Sequence, residues 1–485
     1  MDISTKYETV IGLEIHVQLQ TESKIFAPDT NGFGAEPNTN ISYITLGHPG
    51  TLPFANERIM EYAVKIGLAT HCKIERYNRF ARKNYFYADL PKGYQITQNL
   101  TPICYDGFLP IEVNGEVRKI GITRIHLEED AGKSTHDQDP DYSLIDLNRA
   151  GTPLVEIVSE PDIRSADEAY QYVSDMRRIV RYLGISDADM EKGNLRCDVN
   201  ISMRLRGAEE YGERVEVKNI NSLRNVKRAI EFEAKRQVKL LEKGKQVERQ
   251  TRSFDASNGT TFSLRDKELA HDYRYFPEPD LQPMVVSEEF IAAIKAEMPE
   301  MPHELQHYFT EKLELSAYDA GVLTDEKEMA AYFCEAIKHT EDYKAVANWL
   351  IGPVKEYLNK NNVDIGNFAL SAKQLVVLIH LIKEDKLSFS IAAQKLLPEW
   401  VEQPNADPLQ LAKRMNLLMQ SDDRFIEEVI EKVLERFPDK VKAYQNGRKG
   451  MTGFFMGQIM QLSKGKADPK LATKLLEDRL KSLTV

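Results

Sequence analysis

Cysteine is scarce in this chain. Its 485 residues hold four, Cys72, Cys104, Cys197 and Cys334, far apart and with no Cys-x-x-Cys pair. That argues against a disulfide framework and against a structural zinc site, and leaves buried free thiols as the expectation. Long apolar runs are absent as well, and a membrane-spanning helix needs about 20 such residues. The stretch Met1-Asp2-Ile3-Ser4-Thr5-Lys6-Tyr7 carries no apolar signal core. The expectation is a cytoplasmic protein without membrane contact. Positive charge is in deficit: 64 Lys and Arg face 75 Asp and Glu, a net charge of −11, which speaks against a general nucleic-acid coat. What remains is ordinary for a globular protein, 42% hydrophobic and 29% charged, and long enough for two or three domains with a substantial core.

The charge is uneven. From Lys440 onward ten basic residues (Lys440, Lys442, Arg448, Lys449, Lys464, Lys466, Lys470, Lys474, Arg479 and Lys481) face three acids, Asp468, Glu477 and Asp478. A basic tail on an acidic body is a candidate contact for an anionic partner.

The first 290 residues or so mix strands and helices. In Glu8 to Gln20, Ile11, Leu13, Ile15, Val17 and Leu19 alternate with Gly12, Glu14, His16 and Gln18. This is a half-buried strand that puts Glu14 and His16 side by side. Alone, it reads as a solvated strand face. The spacing predicts a helix over 57–68 and a capped helix over 165–183, where Ser165 and Glu168 form a capping-box pattern and Gly184 is the stop. A further helix is expected over 222–243. Val117 to Leu127 reads as a strand ending in Glu128-Glu129-Asp130. The following Gly132-Lys133-Ser134 is no Walker A loop, because Leu127 stands where its first glycine belongs. Glu156 sits inside the apolar strand Leu154-Val155-Glu156-Ile157-Val158, where a carboxylate needs a partner or a cation. The strands at 196–204 and 214–219 are expected to pair antiparallel, with Arg196, Asp198 and Asn200 on one polar side and Arg214, Glu216 and Lys218 on the other strand's.

Together these polar sides can line one sheet surface with Glu14, His16, Glu128 or Glu129, Glu156, Asp198 and Glu216, among Arg196, Arg214 and Lys218. Carboxylates with one histidine suit magnesium better than zinc, and the basic groups suit phosphates. A polar face held by cross-strand ion pairs is the plainer alternative. Arg82 to Gln95 interleaves aromatic and basic residues, compatible with nucleic-acid contact or with a packed loop. Phe262 to Asp280, which includes Arg265, reads as an active-site or substrate loop. From about residue 287 the pattern is helical, interrupted by linker-like stretches at Pro398-Glu399-Trp400 and 402–408.

Five stretches carry a resemblance: Val10 to His16, Arg82 to Tyr87, His126 to Ser134, Leu195 to Asn200 and Asp272 to Asp280. Together they resemble the B-subunit family of the glutamine-dependent aspartyl/glutamyl-tRNA amidotransferases, and the likeness runs from about Tyr7 into the tail. The resemblance implies an α+β fold: a cradle-like mixed or antiparallel sheet catalytic domain over 1–290, an all-α helical domain over 291–405, and a small α-helical tail over 406–485, similar to the YqeY family and contacting tRNA. It implies partners, an amidase A subunit and a C subunit, and a reaction. With ATP and Mg2+, the side-chain carboxylate of misacylated Glu-tRNA(Gln) or Asp-tRNA(Asn) is phosphorylated, and ammonia from the A subunit then displaces the phosphate.

Matching positions imply Glu14, His16, Glu129, Glu156, Asp198 and Glu216 as metal ligands, with Glu128 as the alternate. Arg196, Lys218 and Arg265 are expected at the nucleotide, and Lys83 and Lys92 match residues of the ammonia path. Glu14, His16, Glu128, Glu129, Lys83 and Lys92 make up the expected catalytic set. Some relatives carry a cysteine cluster near the N-terminal loop. This chain has no cysteine before Cys72, so no zinc is expected. Phe254-Asp255 stands where Trp-Asp is the family pattern. A tRNA-binding scaffold whose acidic face is structural is the competing reading, since no recognised nucleotide loop is present.

Overall fold

The computed structural model describes residues 6–136, 138–264, 273–419, 423–446, 448, 450–463 and 465–483. The chain falls into two compact units, Met1–Pro302 and His303–Val485. Among the described residues, no helix is long and apolar enough to cross a membrane.

The first unit is built on a 12-stranded sheet. In chain order its strands are β1 (Tyr7–Gln18), β2 (Lys73–Ile74), β3 (Ala81–Asn84), β4 (Tyr94–Thr97), β5 (Cys104–Val113), β6 (Glu116–Glu129), β7 (Pro153–Ser159), β8 (Leu195–Leu205), β9 (Val215–Lys218), β10 (Gln250–Asp255), β11 (Thr260–Ser263) and β12 (Phe276–Pro277). Their spatial order is β11-β10-β9-β8-β1-β7-β6-β4-β3-β12, with β5 on β6 and β2 on β5. The β8–β9 pair is antiparallel as expected. The β9–β10 pair is parallel.

Alternation decides the two faces. Ile11, Leu13, Ile15 and Val17 of β1 and Cys197, Val199 and Ile201 of β8 are all essentially sealed from solvent. They lie in one core with the apolar stripe of α2 (Ala166–Tyr182) and the buried side of α3 (Leu223–Glu242). Each such aliphatic side chain contributes about 1.5–3 kcal/mol on burial, so the register of the central strands is held firmly. The other face carries the charges.

The helices form where expected. Helix α1 spans Arg58–Ala69. Ser165 caps α2 by accepting from Glu168 N, and Ser222 caps α3 by accepting from Asn225 N. The capping box at α2 is only half made. The Glu168 carboxylate accepts from Arg164 N and from Arg118 Nη1 rather than from Ser165 N, because a guanidinium on β6 is within its reach. Gly184, at φ 65°, takes the left-handed turn after α2.

The second unit is helical. Pro398-Glu399-Trp400 is not a linker but part of the helix Leu397–Glu402. Proline is tolerated in a first helical turn, and Trp400 is buried with its Nε1–H donated to Ala406 O at 2.9 Å. The helices Asp423–Arg436, Met451–Leu462 and Pro469–Ser482 close a hydrophobic cluster of their own around Ile430, Phe455, Ile459, Leu476 and Leu480. Gly447, Lys449 and Lys464 of the basic tail lie outside the described residues.

Candidate functional site

The polar face of the sheet is set by register. Glu14 of β1 pairs with Asp198 of β8, and His16 pairs with Arg196. On the other side of β1, His16 pairs with Glu156 of β7, and Glu156 pairs with His126 of β6. Asn200 pairs with Glu216 of β9. Partners directly opposite on adjacent strands share a face, so these side chains form one continuous surface.

Two groups of metal-competent donors form on it. In one, ligand atoms of His16, Glu128 and Glu156 lie within 4.8 Å of one another; in the other, so do those of Glu14, Asp198 and Glu216. In the first, His16 Nε2 is 3.6 Å from Glu128 Oε1 and 3.6 Å from Glu156 Oε2. In the second, Lys218 Nζ lies 2.8 Å from both Asp198 Oδ2 and Glu216 Oε1. Asn200 Nδ2 donates to Glu14 Oε1 at 2.9 Å, and Thr251 Oγ1 donates to Glu216 Oε2 at 2.8 Å.

The electrostatics differ between the groups. Burial, then the nearby Glu156 charge, pushes the Glu14 carboxyl above the usual range. Burial acts the same way on Glu156, but the hydrogen bond and charge of His126 outweigh it and hold that carboxyl well down. His126 is itself buried, which opposes its charge; Glu128 and Glu156 prevail and raise it to about 9. Burial also opposes the Lys218 ammonium and the Glu216 carboxylate, yet their pairing, with Asp198, keeps both ionised.

Of the expected metal set, Glu14, His16, Glu156, Asp198 and Glu216 fall in these two groups. Glu129 does not. Alternation separates it from Glu128, which takes the place beside His16 and Glu156. Glu129 instead receives Lys92 Nζ at 2.6 and 2.7 Å and the backbone N–H of Ile96 at 2.7 Å. The acidic run Glu128-Glu129-Asp130 is no solvated strand end: its members are 4%, 3% and 4% exposed. Asp130 accepts from Arg196 Nη2 at 3.0 Å and from Gln18 Nε2 at 3.0 Å. Lys83 lies 4.9 Å from the Tyr273 ring centre and close enough to Glu156 to favour its ionised form. Arg265 lies outside the described residues, as does the rest of 265–272.

Each group offers donors that could hold a divalent cation. Three carboxylates against one ammonium leave two negative charges in the group at Glu14, and two carboxylates face a histidine in the other. Oxygen-rich sets of this kind suit Mg2+. Asn200 Oδ1 and Arg196 Nε are buried without a hydrogen-bond partner among the described residues. Beside Asp198 and Arg196 a cleft of about 990 Å3 opens, lined also by Gln18, Lys133, Arg149 and Asn219.

Sequence reasoning missed His126, Asn200 as a hydrogen-bond donor, and Thr251. His126 was legible by parity, two residues before Glu128. Thr251 was not, because its strand and the parallel β9–β10 pairing have no local signature.

The first unit is thus a mixed sheet with a dry apolar back and a front of carboxylates, basic groups and histidine. The sequence pattern of the GatB/GatE catalytic domain matches residues 9–292, and that of the GatB domain matches 331–480. Three curated proteins, each named as the B subunit of an aspartyl/glutamyl-tRNA(Asn/Gln) amidotransferase, are similar along their whole length. The one from Thermodesulfovibrio yellowstonii is 49% identical over 98% of this chain and 100% of its own. Those from Caldicellulosiruptor saccharolyticus and Persephonella marina are each 46% identical, over 99% and 98% of this chain and 100% of their own. The chain belongs to the B-subunit family of the aspartyl/glutamyl-tRNA(Asn/Gln) amidotransferases.

Proposed function

We propose that this chain is the component that activates and amidates misacylated Glu-tRNA(Gln) or Asp-tRNA(Asn), working in the cytoplasm with a glutaminase A subunit and a C subunit. The observation that carries the reading is the pairing of two cation-competent groups on one sheet face next to a nucleotide-sized cleft. A carboxylate is a poor acylating group. Its oxygen attacks the γ-phosphorus of ATP, ADP leaves, and an acyl phosphate forms. Ammonia then attacks the acyl carbon, phosphate leaves, and the nitrogen loses a proton to give the amide.

His16, Glu128 and Glu156 would hold one Mg2+, and Glu14, Asp198 and Glu216 the other. Bound Mg2+ supplies neutralisation of phosphate charge and alignment of the reacting oxygens. Arg196, Lys218 and Arg265 are proposed at the nucleotide; Lys218 pairs with Asp198, and Arg196 stands opposite His16 on the adjacent strand and pairs with Asp130. Lys83 lies toward Glu156, and Lys92 is held by Glu129. We assign these two lysines and Glu129 to the polar approach of ammonia. Within the second unit we keep the division near residue 405. The separate hydrophobic cluster after Ile426 supports a tail able to pack by itself and to present lysines to a tRNA backbone.

The test uses the complex reconstituted with its partner subunits. Glu128→Gln and Asp198→Asn should each abolish ATP-dependent formation of acyl phosphate on Glu-tRNA(Gln) while glutaminase turnover persists. Acyl phosphate formed at the wild-type rate by both variants would remove the cation groups from the mechanism.

A further inference from the structure

His126 has no place in either donor group, yet it is buried against the one that holds Glu128 and Glu156. It is 3% exposed. Its Nε2 lies 3.1 Å from Glu156 Oε2 and 3.6 Å from Glu128 Oε2. His16 reaches the same two carboxylates from the opposite side, at 3.6 Å each. Each carboxylate is therefore bracketed by two imidazoles.

The bracketing follows from the sheet. His16, Glu156 and His126 occupy one row across β1, β7 and β6. The two histidines are nevertheless unlike. His16 is the more open, with 19% of its side chain exposed against 4% for His126. His16 lies in the ligand group; His126 does not. The Nδ1 of His126 is buried with no hydrogen-bond partner among the described residues. Its Nε2 is directed at the two acids.

A buried carboxylate is costly unless donors pair with it, and those donors help to fix its orientation. Glu128 is also met by Thr97 Oγ1, at 3.5 Å. For Glu156 the closest donor is His126 itself. Groups that hold metal-binding carboxylates through hydrogen bonds typically change metal affinity 10–100-fold when removed.

Resting on the proposed cation role of the two groups, we propose that His126 is a positioning residue that holds Glu156 and Glu128 in ligating orientation for the ion at His16. It acts through these carboxylates and does not itself bind the ion. The group at Glu14, Asp198 and Glu216 lies outside its reach and does not depend on it.

The experiment titrates the assembled complex with Mn2+ alone and follows the free ion by electron paramagnetic resonance, with no nucleotide or tRNA present. Wild type should take up two ions. His126→Leu, which fills the space but donates nothing, should weaken one site by about 10–100-fold and leave the other unchanged. His126→Gln, whose amide keeps a donor at similar reach, should recover most of the affinity. If His126→Leu does not fold, His126→Asn replaces it: its shorter amide cannot reach Glu156, and that site should weaken at least tenfold relative to His126→Gln. Two wild-type affinities in a folded His126→Leu complex would overturn the assignment, as would equal affinities for the Gln and Leu variants or for the Gln and Asn variants. Failure of the wild type to take up Mn2+ would overturn the cation reading beneath it, and the His126 assignment with it.

Discussion

Lys218 offers a measurement of what the Glu14 group needs. Its ammonium sits 2.8 Å from both Asp198 and Glu216, and the carboxylates of Glu14, Asp198 and Glu216 converge within 4.8 Å. Lys218→Met keeps most of the aliphatic stem and removes the charge. At an effective dielectric of about 20, one pair in contact is worth about 4 kcal/mol. The lysine side chain is 40% exposed, so solvent screening reduces this. We expect a loss of about 2–3 kcal/mol for the two pairs together, with repulsion among the three acids included. A divalent ion bound in the group supplies the missing charge and stabilises the folded state by mass action, by about 2.7 kcal/mol at a hundredfold excess over its dissociation constant. The assay is urea unfolding of the first unit within the full chain, with Mg2+ and with a chelator. Lys218→Met should be clearly destabilised with chelator and close to wild type with saturating Mg2+. Lys73→Met is the control, because the Lys73–Asp106 pair is 65% and 62% exposed and should matter little under either condition. An equal deficit with and without Mg2+, or no deficit at all, would refute the view that Lys218 stands in for cation charge at these acids.

Other expectations follow from buried charge. Lys24 is fully buried beside Asp29, and burial lowers its ammonium from 10.5 to about 8. Between those two values the unfolded chain binds more protons, so stability should rise with pH through that window, by about 3 kcal/mol in all. Lys24→Met should raise stability near pH 7 and lose this slope, as read from urea midpoints across pH 7–11; a variant with the wild-type slope would refute the assignment. Glu233 is fully buried on α3 and accepts from Arg236 Nη2 at 2.6 Å and from Thr261 Oγ1 at 2.9 Å. Glu233→Leu leaves the guanidinium without its carboxylate and should cost about 3–5 kcal/mol by the same unfolding assay. Deleting 406–485 should weaken tRNA binding by the complex and flatten its dependence on salt; an unchanged slope of affinity against salt would rule out the tail as the backbone contact.

The legible parts of this protein were the local ones. Alternation in β1 placed Glu14 and His16 together, and the same rule placed Asp198 with Asn200 and Glu216 with Lys218. Side chains two apart on a strand share a face whatever the strand pairs with. Ser165 announced its helix because a cap acts within four residues; for the helix after β9 either Asn221 or Ser222 could cap, and Ser222 does. The rule reached its limit at Glu128 and Glu129. Either could have faced the site, and the choice fell to the phase in which β6 pairs with β7. Parity also offers His126, two residues before Glu128 on the same strand, but its approach to Glu156 depends on how β6 pairs with β7. The strands Gln250–Asp255 and Thr260–Ser263 went unread because they are polar and short, and their place beside β9 depends on a parallel pairing without a turn signature.

By itself, then, the sequence determined which residues are acids on strand faces, which helices flank them, and the family to which the chain belongs. Only the tertiary structure decided which acids meet. Asn200 donates to a Glu14 that is 186 residues away, and the phase of β6 puts Glu128 beside His16 and leaves Glu129 to Lys92. Those choices depend on strand order and register. Burial of the apolar back sets both, and it acts on the whole sheet at once rather than on any one strand.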